Sequence, residues 1–436
     1  MPNTPSLFSR RDILGGLVLG TATLATARLN AQNSTLPSPP EKTDAARLAQ
    51  DEAFWREVAG YYDRADGIVN LEHGYWGKMA KPVQDHYLAA TQMVNKQLSF
   101  YARKGYGSDA REAVARVARS LGVDSDEIVL TRNATESIHN LIRQYQSIGP
   151  DDALLYADVD YPSFQQTMQW LADQRKARAI VLNLPARASQ SQLLDAYVRA
   201  FDANPSLKLI LLTHVSNQHG LVLPVALIAE QARQRGIDVI CDSAQSWGLL
   251  DYKITDLNVD WAGFNLHKWI GSPVGVGALY MRRGSLDKIQ PYPGEADPDN
   301  TRISTRVHTA TSNFAAILTV PSALDFHESI GGNNKEARLK YLRGLWTREA
   351  DSMEHIEVLG GADEASWTGM ASFRLRGQNS AAQVNVLQKR LEQDFGIFTV
   401  ARYELDSGAC IRVTPQVFTT ADEIQQLISA LNRLKA

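Results

Sequence analysis

The stretch from Asp260 to Gly277 reads Asp-Trp-Ala-Gly-Phe-Asn-Leu-His-Lys-Trp-Ile-Gly-Ser-Pro-Val-Gly-Val-Gly and carries Lys268 at its middle. An apolar run precedes this lysine, and glycines and a proline follow it, which favours a buried site over a solvated surface. Burial lowers the pKa of an amine and leaves part of it neutral, as a Schiff base with an aldehyde requires. A solvated lysine on a loop is the alternative, and residues elsewhere in the chain decide between the two.

Composition and length place the chain among ordinary globular proteins. Its 436 residues are enough for two or three domains, and 44% hydrophobic with 21% charged residues are typical of a folded chain. A net charge of -3 gives no reason to expect nucleic acid or an anionic membrane as a partner. The two cysteines, Cys241 and Cys410, allow at most one disulfide, and neither has a metal-ligand spacing, so we expect no metal site.

The first residues have the features of an export signal. Arg10 and Arg11 precede an apolar stretch from Ile13 to Ala27 that is too short and too mild for a permanent membrane anchor. The paired arginines, the weak apolar core and the small residues that follow resemble a bacterial twin-arginine signal. We therefore expect residues 1–31 to direct the folded protein through the twin-arginine translocon to the periplasm, and residues 32–65 to form a tether and N-terminal segment. An amphipathic or disordered N-terminus with a chance arginine pair is the alternative.

From about Asp126 onward, short β-branched runs alternate with segments of helical periodicity. This alternation predicts an α/β fold, with a largely parallel sheet covered by helices on both faces, in a large domain over residues 66–330. Residues 331–436 are expected to form a smaller C-terminal α+β domain. The strands predicted for the large domain are Glu127–Thr131, Ala153–Ala157, Ala179–Leu184, Leu207–Thr213, Asp238–Asp242, Asp260–Asn265 and Gly275–Met281, and those predicted for the small domain are Ala371–Arg376, Phe398–Arg402 and Cys410–Thr414.

A helix start follows the first predicted strand. Asn133 and Glu136 have the spacing of a helix cap, which is one interpretation of Asn133-Ala134-Thr135-Glu136. The other is a phosphate site, because free backbone N–H groups at a helix start and the Thr135 hydroxyl attract an anion. Both can hold together, since a cap does not use every free N–H group.

Asp242 ends another predicted strand, where a carboxylate in an open α/β sheet is well placed to bind a ligand. A helix cap or a turn is the alternative. Lys268 follows the next predicted strand, so adjacent parallel strands would bring the two side chains to one crevice. A phosphate site, an aldehyde-reactive lysine and a carboxylate for a pyridine nitrogen together indicate pyridoxal phosphate (PLP) as cofactor.

These residues resemble the class V aminotransferase family of fold-type I PLP enzymes, especially its isopenicillin N epimerase-like branch. The similarity runs from about Gly67 to the C-terminus and is most specific in Asp242-Ser-Ala-Gln and in His267-Lys-Trp. It implies a mostly parallel seven-stranded sheet, a homodimer, and a Schiff base between Lys268 and PLP with Asp242 at the pyridinium. The other cofactor contacts that the resemblance implies are Gln245 near the ring hydroxyl, Tyr161 stacked on the ring, and Ala134, Thr135, His267 and, from the neighbouring subunit, Thr311 at the phosphate.

Substrate contacts follow from the same resemblance. Arg412 matches the family's arginine for the substrate α-carboxylate, and a bidentate guanidinium suits that task. Its place between two β-branched residues also fits the solvent face of an edge strand. His73, Tyr75 and Trp76 lie in a segment that resembles the family's substrate entry.

Three of the implied contacts have an alternative or a departure from the family pattern. Tyr161 also fits an aromatic that packs on the core at a strand end. Residues 214–217, His-Val-Ser-Asn, match a loop that lines the cofactor pocket, and they also fit an ordinary turn. Ala310 stands before Thr311 where the family has glycine.

The cofactor alone does not fix the reaction. A cysteine desulfurase would need a thiol shortly after Arg402, and residues 402–407 contain none, so we do not expect desulfuration. The combination of a twin-arginine signal with a PLP enzyme fold in this chain resembles the exported PLP enzymes that tailor the siderophore pyoverdine. This implies a small-molecule or peptidic siderophore precursor as substrate, whose chromophore-linked glutamate becomes a succinamide. A periplasmic aminotransferase that makes a keto acid from the same glutamate, an epimerase, and a PLP-binding module without turnover are the alternatives.

Overall fold

The computed structural model describes residues 36–41, 43–65 and 67–434. The predicted export signal, residues 1–31, lies outside the described residues. Within those described ranges, every helix is too short or too polar to cross a membrane.

The described chain contains twelve α-helices and fourteen β-strands. The helices are α1 (Ala45–Leu48), α2 (Glu52–Ala59), α3 (Lys81–Lys104), α4 (Tyr106–Leu121), α5 (Ala134–Gln144), α6 (Pro162–Arg175), α7 (Gln190–Asp202), α8 (Val225–Gln234), α9 (Phe314–Ile330), α10 (Gly332–Asp351), α11 (Ala381–Phe395) and α12 (Ala421–Arg433). The strands are β1 (Val69–Asn70), β2 (Ile128–Thr131), β3 (Ala153–Ala157), β4 (Arg178–Leu182), β5 (Arg187–Ala188), β6 (Leu207–Thr213), β7 (Asp238–Asp242), β8 (Trp261–Asn265), β9 (Gly277–Met281), β10 (Ile356–Gly361), β11 (Ala371–Leu375), β12 (Ile397–Phe398), β13 (Val400–Arg402) and β14 (Cys410–Val413).

A seven-stranded sheet in the order β2-β9-β8-β7-β6-β3-β4 forms the centre of the fold. The pairs from β8 to β4 are all parallel, and β9 is antiparallel to both of its neighbours. The predicted α/β fold with a mostly parallel seven-stranded sheet is therefore confirmed. The strands predicted at Ala153–Ala157, Leu207–Thr213 and Asp238–Asp242 have the same bounds in the structure.

Both faces of this sheet are buried, which explains why its strands are almost wholly apolar. In β3, Ala153, Leu155 and Ala157 pack into one hydrophobic cluster, and Leu154 and Tyr156 pack into the cluster on the opposite face. Successive side chains of a strand point to opposite faces, so a continuous apolar run fills both layers. Because β6, β7 and β8 are parallel neighbours, their carboxyl ends lie side by side at one edge of the sheet.

A second sheet has five strands in the order β13-β14-β11-β10-β5 and is built mainly from the C-terminal part of the chain. β14 lies between β13 and β11 and is antiparallel to both. Arg412, on β14, is fully buried and is not on an edge strand. The alternative that placed Arg412 on the solvent face of an edge strand is therefore wrong.

The N-terminal part of the described chain packs on this framework. The Asp51 carboxylate caps α2 by accepting from the N–H groups of Ala53 and Phe54, and α2 buries Phe54 and Trp55 in the core. β1 pairs in parallel with β12. The predicted domain boundary after residue 330 coincides with the end of α9, and the division into two domains stays a prediction.

Candidate active site

Asp242 and the loop that carries Lys268 lie at the carboxyl edge of the seven-stranded sheet. Asp242 is the last residue of β7, and Lys268 follows the last residue of β8 by three positions. β7 and β8 are parallel neighbours, with Asp242 opposite Gly263. The two side chains are close enough for the Asp242 carboxylate to raise the pKa of Lys268, as expected from their places in the sequence.

Burial sets the protonation of both groups. It lowers the pKa of the Lys268 amine to about 8, against the opposing effect of the Asp242 carboxylate. It raises the pKa of Asp242 to about 6, although Lys268 and the Ala244 N–H, which donates to Asp242 Oδ1 at 2.9 Å, both act to lower it. At neutral pH a part of the amine is therefore neutral beside an ionised carboxylate, as a nucleophilic lysine requires.

Close backbone packing fixes the loop around Lys268. The Gly77 N–H donates to the His267 carbonyl oxygen at 2.7 Å. A Cβ atom at Gly77 would lie 1.8 Å from the Lys268 carbonyl oxygen, so a side chain does not fit there. On another side of the loop, Lys335 Nζ donates to the Trp269 carbonyl oxygen at 2.8 Å. The lysine backbone is thus held between residues that are distant in sequence.

Gln245 joins this loop to the segment of residues 70–77. Its Nε2 donates to the Gly74 carbonyl oxygen at 2.9 Å, and its Oε1 accepts from the Trp269 indole N–H at 2.9 Å. A primary amide has a second N–H, which the Gly74 contact leaves for another acceptor. The predicted contact of Gln245 with the cofactor's ring hydroxyl stays a prediction.

The start of α5 combines a cap with a free N–H group. Asn133 Oδ1 accepts from the Glu136 N–H at 2.8 Å, which confirms the cap. The Ala134 N–H donates to Asn265 Oδ1 at 2.9 Å, so a side chain at the end of β8 uses the donor that the family pattern assigns to phosphate. The Thr135 N–H has no acceptor within its own helix and, with the Thr135 hydroxyl, is left for an anion. The phosphate roles of Ala134 and Thr135 stay predictions.

His267 is a neutral ring at physiological pH. Its Nδ1 lies 3.1 Å from the Val276 carbonyl oxygen, and that distance requires a proton on Nδ1. Burial and the charge of Lys268 lower the pKa of His267 to about 4. The Nε2 atom therefore lacks a proton, and it donates to a phosphate only when the anion raises the pKa of the ring.

Tyr161 and Asp160 follow β3 and have opposite environments. The Tyr161 side chain is 39% exposed, although its ring meets Phe164 edge-on at 5.1 Å, so it is a partly open aromatic rather than a core residue. Asp160 is fully buried, and its two carboxylate oxygens accept from the N–H groups of Ala157 at 2.7 Å and Thr213 at 3.2 Å. Asp160 thus ties the ends of β3 and β6 together, a role that no motif in the sequence indicated.

Arg412 extends from the small sheet toward the loop that follows β6. Its Nη1 donates to the Asn217 carbonyl oxygen at 2.7 Å, so residues 214–217 contact the predicted carboxylate-binding residue. Its Nη2 donates to Glu72 Oε1 at 2.5 Å. The charges of both Arg412 and Glu72 act on the pKa of Lys268, which places the pair near the amine. Glu72 was not predicted, because 340 residues separate it from Arg412.

A second arginine shares this face of the small sheet. Arg402 lies opposite Cys410, and Val400 lies opposite Arg412. Residues directly opposite each other in antiparallel strands point to the same face. Among the described residues no carboxylate forms an ion pair with Arg402, and its buried Nε has no hydrogen-bond partner. Its charge lowers the pKa of Lys268, so Arg402 is a further cationic group near the site that sequence reasoning did not single out.

His73, Tyr75 and Trp76, the candidate substrate contacts of the entry segment, differ in exposure. His73 is buried, its Nε2 lies 3.0 Å from the Asn70 carbonyl oxygen, and burial lowers its pKa to about 4. Tyr75 is 68% exposed, and its ring lies 5.0 Å from that of Trp76, which is 52% exposed. The substrate-binding roles of all three stay predictions.

Thr311 lies on an exposed loop of this chain. The residue before it, Ala310, has a φ of 46°, in the left-handed region that favours glycine. The backbone therefore has a conformation that favours glycine, the residue of the family pattern at this position, even though this chain has alanine there. The contact of Thr311 with the phosphate of a second subunit stays a prediction.

Comparison with known proteins agrees with this geometry. The family model Aminotransferase class-V matches residues 81–427. The chain belongs to the aminotransferase class-V family. Isopenicillin N epimerase from Streptomyces clavuligerus is 26% identical over 403 residues, which cover 88% of this class-V chain and 98% of the epimerase.

Two solved structures share this fold. The apo structure of a cysteine desulfurase from Thermococcus onnurineus NA1 superimposes with a TM-score of 0.73 at 18% identity, covering 87% of this chain and 97% of that one. A mutant of the lyase C-DES, in which glycine is covalently linked to the PLP cofactor, gives a TM-score of 0.71 at 22% identity and covers 84% and 96% of the two chains. These similarities confirm the fold-type I architecture.

PLP is the cofactor of the class-V family, and the cofactor predicted from the sequence is confirmed. The residues present fit it. Lys268 provides an amine, Asp242 has an oxygen that the Ala244 contact does not use, and Thr135 has a free N–H. His214 Nδ1 and Asn217 Oδ1 are buried without a partner in the described part of the chain. Buried polar atoms of this kind normally meet a partner, which a bound ligand would supply.

Proposed function

We propose that this class-V enzyme acts in the periplasm on the α-amino group of a glutamate, and that it converts the chromophore-linked glutamate of pyoverdine to a succinamide. The observation that carries the proposal is that Asp242 and Lys268 lie at the carboxyl edge of the seven-stranded sheet, and that Arg412, from the five-stranded sheet, is close enough for its charge to act on Lys268. They provide an amine to react, a carboxylate for the cofactor ring and a guanidinium for the α-carboxylate of an amino acid. The Arg10-Arg11 pattern supports an exported enzyme.

Lys268, Asp242 and Arg412 each have a separate role in this reaction. When bound, PLP supplies an electron sink for the negative charge that develops at the α-carbon. Lys268, with its pKa lowered to about 8 by burial, holds the cofactor and can then exchange a proton with the α-carbon near neutral pH. The Asp242 carboxylate keeps the ring nitrogen protonated through its opposite charge. Arg412 orients the α-carboxylate through charge-assisted hydrogen bonds.

A sulfur-transfer reaction does not fit the two cysteines. Cysteine desulfurases need a reactive thiol, and a thiol reacts as its thiolate. Cys410 is fully buried in β14, and burial raises its pKa to about 11. Cys241 is fully buried in β7, and burial raises its pKa to about 12. We therefore place the activity at the α-carbon of the substrate rather than at sulfur.

The proposed conversion has a defined balance. The α-carboxylate leaves as carbon dioxide, and the carbon that carried it becomes the amide carbonyl. Dioxygen accepts the electrons; one of its oxygen atoms enters the amide and the other leaves as water, while the carbon dioxide keeps both oxygens of the carboxylate. The amine nitrogen stays in the product, which distinguishes this reaction from transamination.

Mass spectrometry of a glutamate-bearing pyoverdine precursor tests the proposal. With PLP-loaded enzyme and dioxygen, the precursor is expected to lose its α-carboxylate and to keep its nitrogen, with the change absent for Lys268→Ala. A precursor of unchanged mass, with enzyme shown to contain PLP, would contradict the proposed substrate. A keto acid product together with pyridoxamine phosphate would instead identify an aminotransferase.

The similarity to isopenicillin N epimerase supports a second candidate, an epimerase. Such an enzyme would exchange the α-proton of an amino acid without changing its mass. Deuterium uptake at the α-carbon in heavy water, with no loss of carboxylate, would favour this function. A PLP-binding module without turnover would show neither change, and the amine, carboxylate and guanidinium of the site favour an enzyme.

We also propose that the enzyme is a homodimer, since Thr311 lies on the surface and would serve the cofactor of a second copy. Light scattering of the PLP-loaded protein would give twice the mass of the chain. A monomer that binds PLP with normal affinity would contradict this role of Thr311.

A further inference from the structure

The Glu72 carboxylate forms an ion pair with the Arg412 guanidinium, the group that the α-carboxylate of the substrate is expected to bind. Its Oε1 accepts from Arg412 Nη2 at 2.5 Å. The Arg412 side chain is fully buried, and that of Glu72 is 9% exposed. The pair therefore lies in a poorly solvated place, where opposite charges interact strongly and where removing one partner leaves the other unpaired.

The backbone holds Glu72 in place. Its N–H donates to Asn70 Oδ1 at 2.8 Å. The next residue, His73, donates its N–H to Thr414 Oγ1 at 2.8 Å, and the Thr414 N–H donates to the Leu71 carbonyl oxygen at 2.8 Å. Glu72 thus lies on a segment that is hydrogen-bonded to Thr414, the residue directly after β14, the strand of Arg412. A ligand can displace the carboxylate only by rotating the side chain, because the backbone is fixed.

The rest of the guanidinium has little room for a second anion. Arg412 Nη1 donates to the Asn217 carbonyl oxygen. A Cβ atom at Gly74 would lie 2.8 Å from both Cζ and Nη2 of Arg412, so the backbone at Gly74 packs directly on the group. Arg412 Nε is buried and has no hydrogen-bond partner in the described part of the chain, so a bidentate carboxylate would share it with Nη2. A substrate α-carboxylate that binds Nη2 must therefore take the place of the Glu72 carboxylate.

We propose that Glu72 is a specificity-determining residue that keeps Arg412 occupied until a substrate carboxylate displaces it. The inference rests on the proposed role of Arg412 in binding the α-carboxylate. Small free amino acids gain one carboxylate contact at Arg412 while they break another, and they bind weakly. A larger substrate has contacts outside this pair, and those contacts offset the displacement of Glu72. The enzyme thereby selects an amino acid unit that is part of a larger molecule.

Two ligands that differ in a single group measure this exchange. Glutamate has the α-carboxylate, and isoglutamine has an α-amide in its place. Their dissociation constants are measured from the change in the absorbance spectrum of the bound cofactor, in wild type and in Glu72→Gln. We expect glutamate to bind about tenfold more tightly, or better, in Glu72→Gln, which frees the guanidinium and removes a like charge. Isoglutamine binding is expected to change by less than about twofold.

A matched control and a milder variant keep the experiment decisive. Glu349→Gln removes the same charge from an exposed position of α10 and is expected to leave both constants unchanged. Glu72→Asp retains the charge on a shorter side chain, and we expect it to tighten glutamate less than Glu72→Gln does. If Glu72→Gln weakens glutamate or leaves it unchanged, Glu72 orients Arg412 instead of competing for it, and the proposal is wrong.

Calorimetry with glutarate separates this inference from the proposed reaction. Glutarate has carboxylates and no amine, so its binding does not depend on amine chemistry at Lys268. Tighter glutarate binding to Glu72→Gln than to wild type supports the exchange even if no amino acid reacts with the cofactor. Equal glutarate binding in the two proteins contradicts the exchange even if the enzyme converts its precursor normally.

Discussion

The cofactor side and the substrate side of this site are built in different ways. The cofactor side, made of Asp242, the Lys268 loop and the start of α5, comes from neighbouring strands and the turns that follow them. Its groups are left available, since Lys268 has an amine with its pKa lowered to about 8 and Thr135 has a free N–H. The substrate side, Glu72 with Arg412, comes from segments 340 residues apart and is already paired within the protein.

The cofactor side therefore suits a ligand that stays bound, and the substrate side suits a ligand that exchanges. A resident cofactor needs donors and acceptors that the protein leaves unused. A substrate that comes and goes can be selected by what it has to displace. Glycines connect the two sides, because Gly77 packs on the Lys268 carbonyl and Gly74 packs on Arg412.

The largest effect is expected at the cofactor side. Lys268→Ala removes the amine and should lower turnover by about a thousandfold or more, because no other group takes over both of its roles. Steady-state kinetics of the PLP-loaded variant measures the loss. Lys389→Ala, at an exposed lysine of α11, should keep full activity. Turnover of Lys268→Ala within tenfold of wild type would show that the two sides do not meet at this lysine.

The contact between the two sides is tested by Gly77→Ala. The added Cβ would lie 1.8 Å from a backbone oxygen, so the loop of Lys268 or the segment of residues 70–77 must shift. We expect the free energy of unfolding to fall by about 3 kcal/mol or more, measured by urea denaturation. Gly107→Ala, in the first turn of α4, is the control: its Cβ would make only an ordinary contact with Arg111 Nη1 at 3.6 Å, and the change should stabilise slightly. Equal effects of the two changes would mean that the segment is not packed on the lysine.

The charge on the cofactor side predicts a pH dependence of the apoprotein. Burial raises the pKa of Asp242 to about 6 from 3.8, so the folded state binds more protons than the unfolded state between these values. Stability is therefore lost as the pH rises through this window. Asp242→Asn removes this loss. The free energy of unfolding of the variant should therefore exceed that of wild type by an amount that grows from pH 4 to pH 6 and levels off at about 3 kcal/mol. A difference in the free energy of unfolding that is independent of pH would show that Asp242 is solvated.

The smallest effect is expected at Ala310, away from both sides in this chain. Its φ of 46° is unfavourable for an L-residue and favourable for glycine. Ala310→Gly should raise the free energy of unfolding by up to about 1 kcal/mol, because the gain is partly offset by the flexibility of glycine in the unfolded chain. A shift of the denaturation midpoint measures it. A loss of stability would mean that the loop has another conformation in solution.

The comparison also explains what could be predicted from the sequence. Asp242 and Lys268 follow buried apolar strands, and the order of parallel strands brings such positions together by a general rule. The pattern therefore predicted the fold and the cofactor side. Helices α3 and α4 and strand β10 were not predicted, because the βα alternation that guided the assignment is absent there.

The contacts of the substrate side follow no local pattern. Glu72 meets Arg412 only because β1 lies beside β12 and the following segment pairs with β14. The alternation of residue types around Arg412 also fitted an edge strand. Only the position of β14 between two other strands shows that Arg412 is buried inside its sheet. Asn265 likewise takes the Ala134 N–H through a contact between positions 131 residues apart. Such pairs depend on the complete tertiary structure.

The lysine to which the cofactor is attached can be identified chemically. Borohydride reduction of the PLP-loaded enzyme, followed by proteolysis and mass spectrometry, locates the lysine that holds the cofactor. The alternative site is Lys335, a second buried lysine, whose pKa burial lowers to about 7. The account predicts that the reduced cofactor is found on the peptide that contains Lys268. Cofactor on Lys335, or on no lysine, would contradict it.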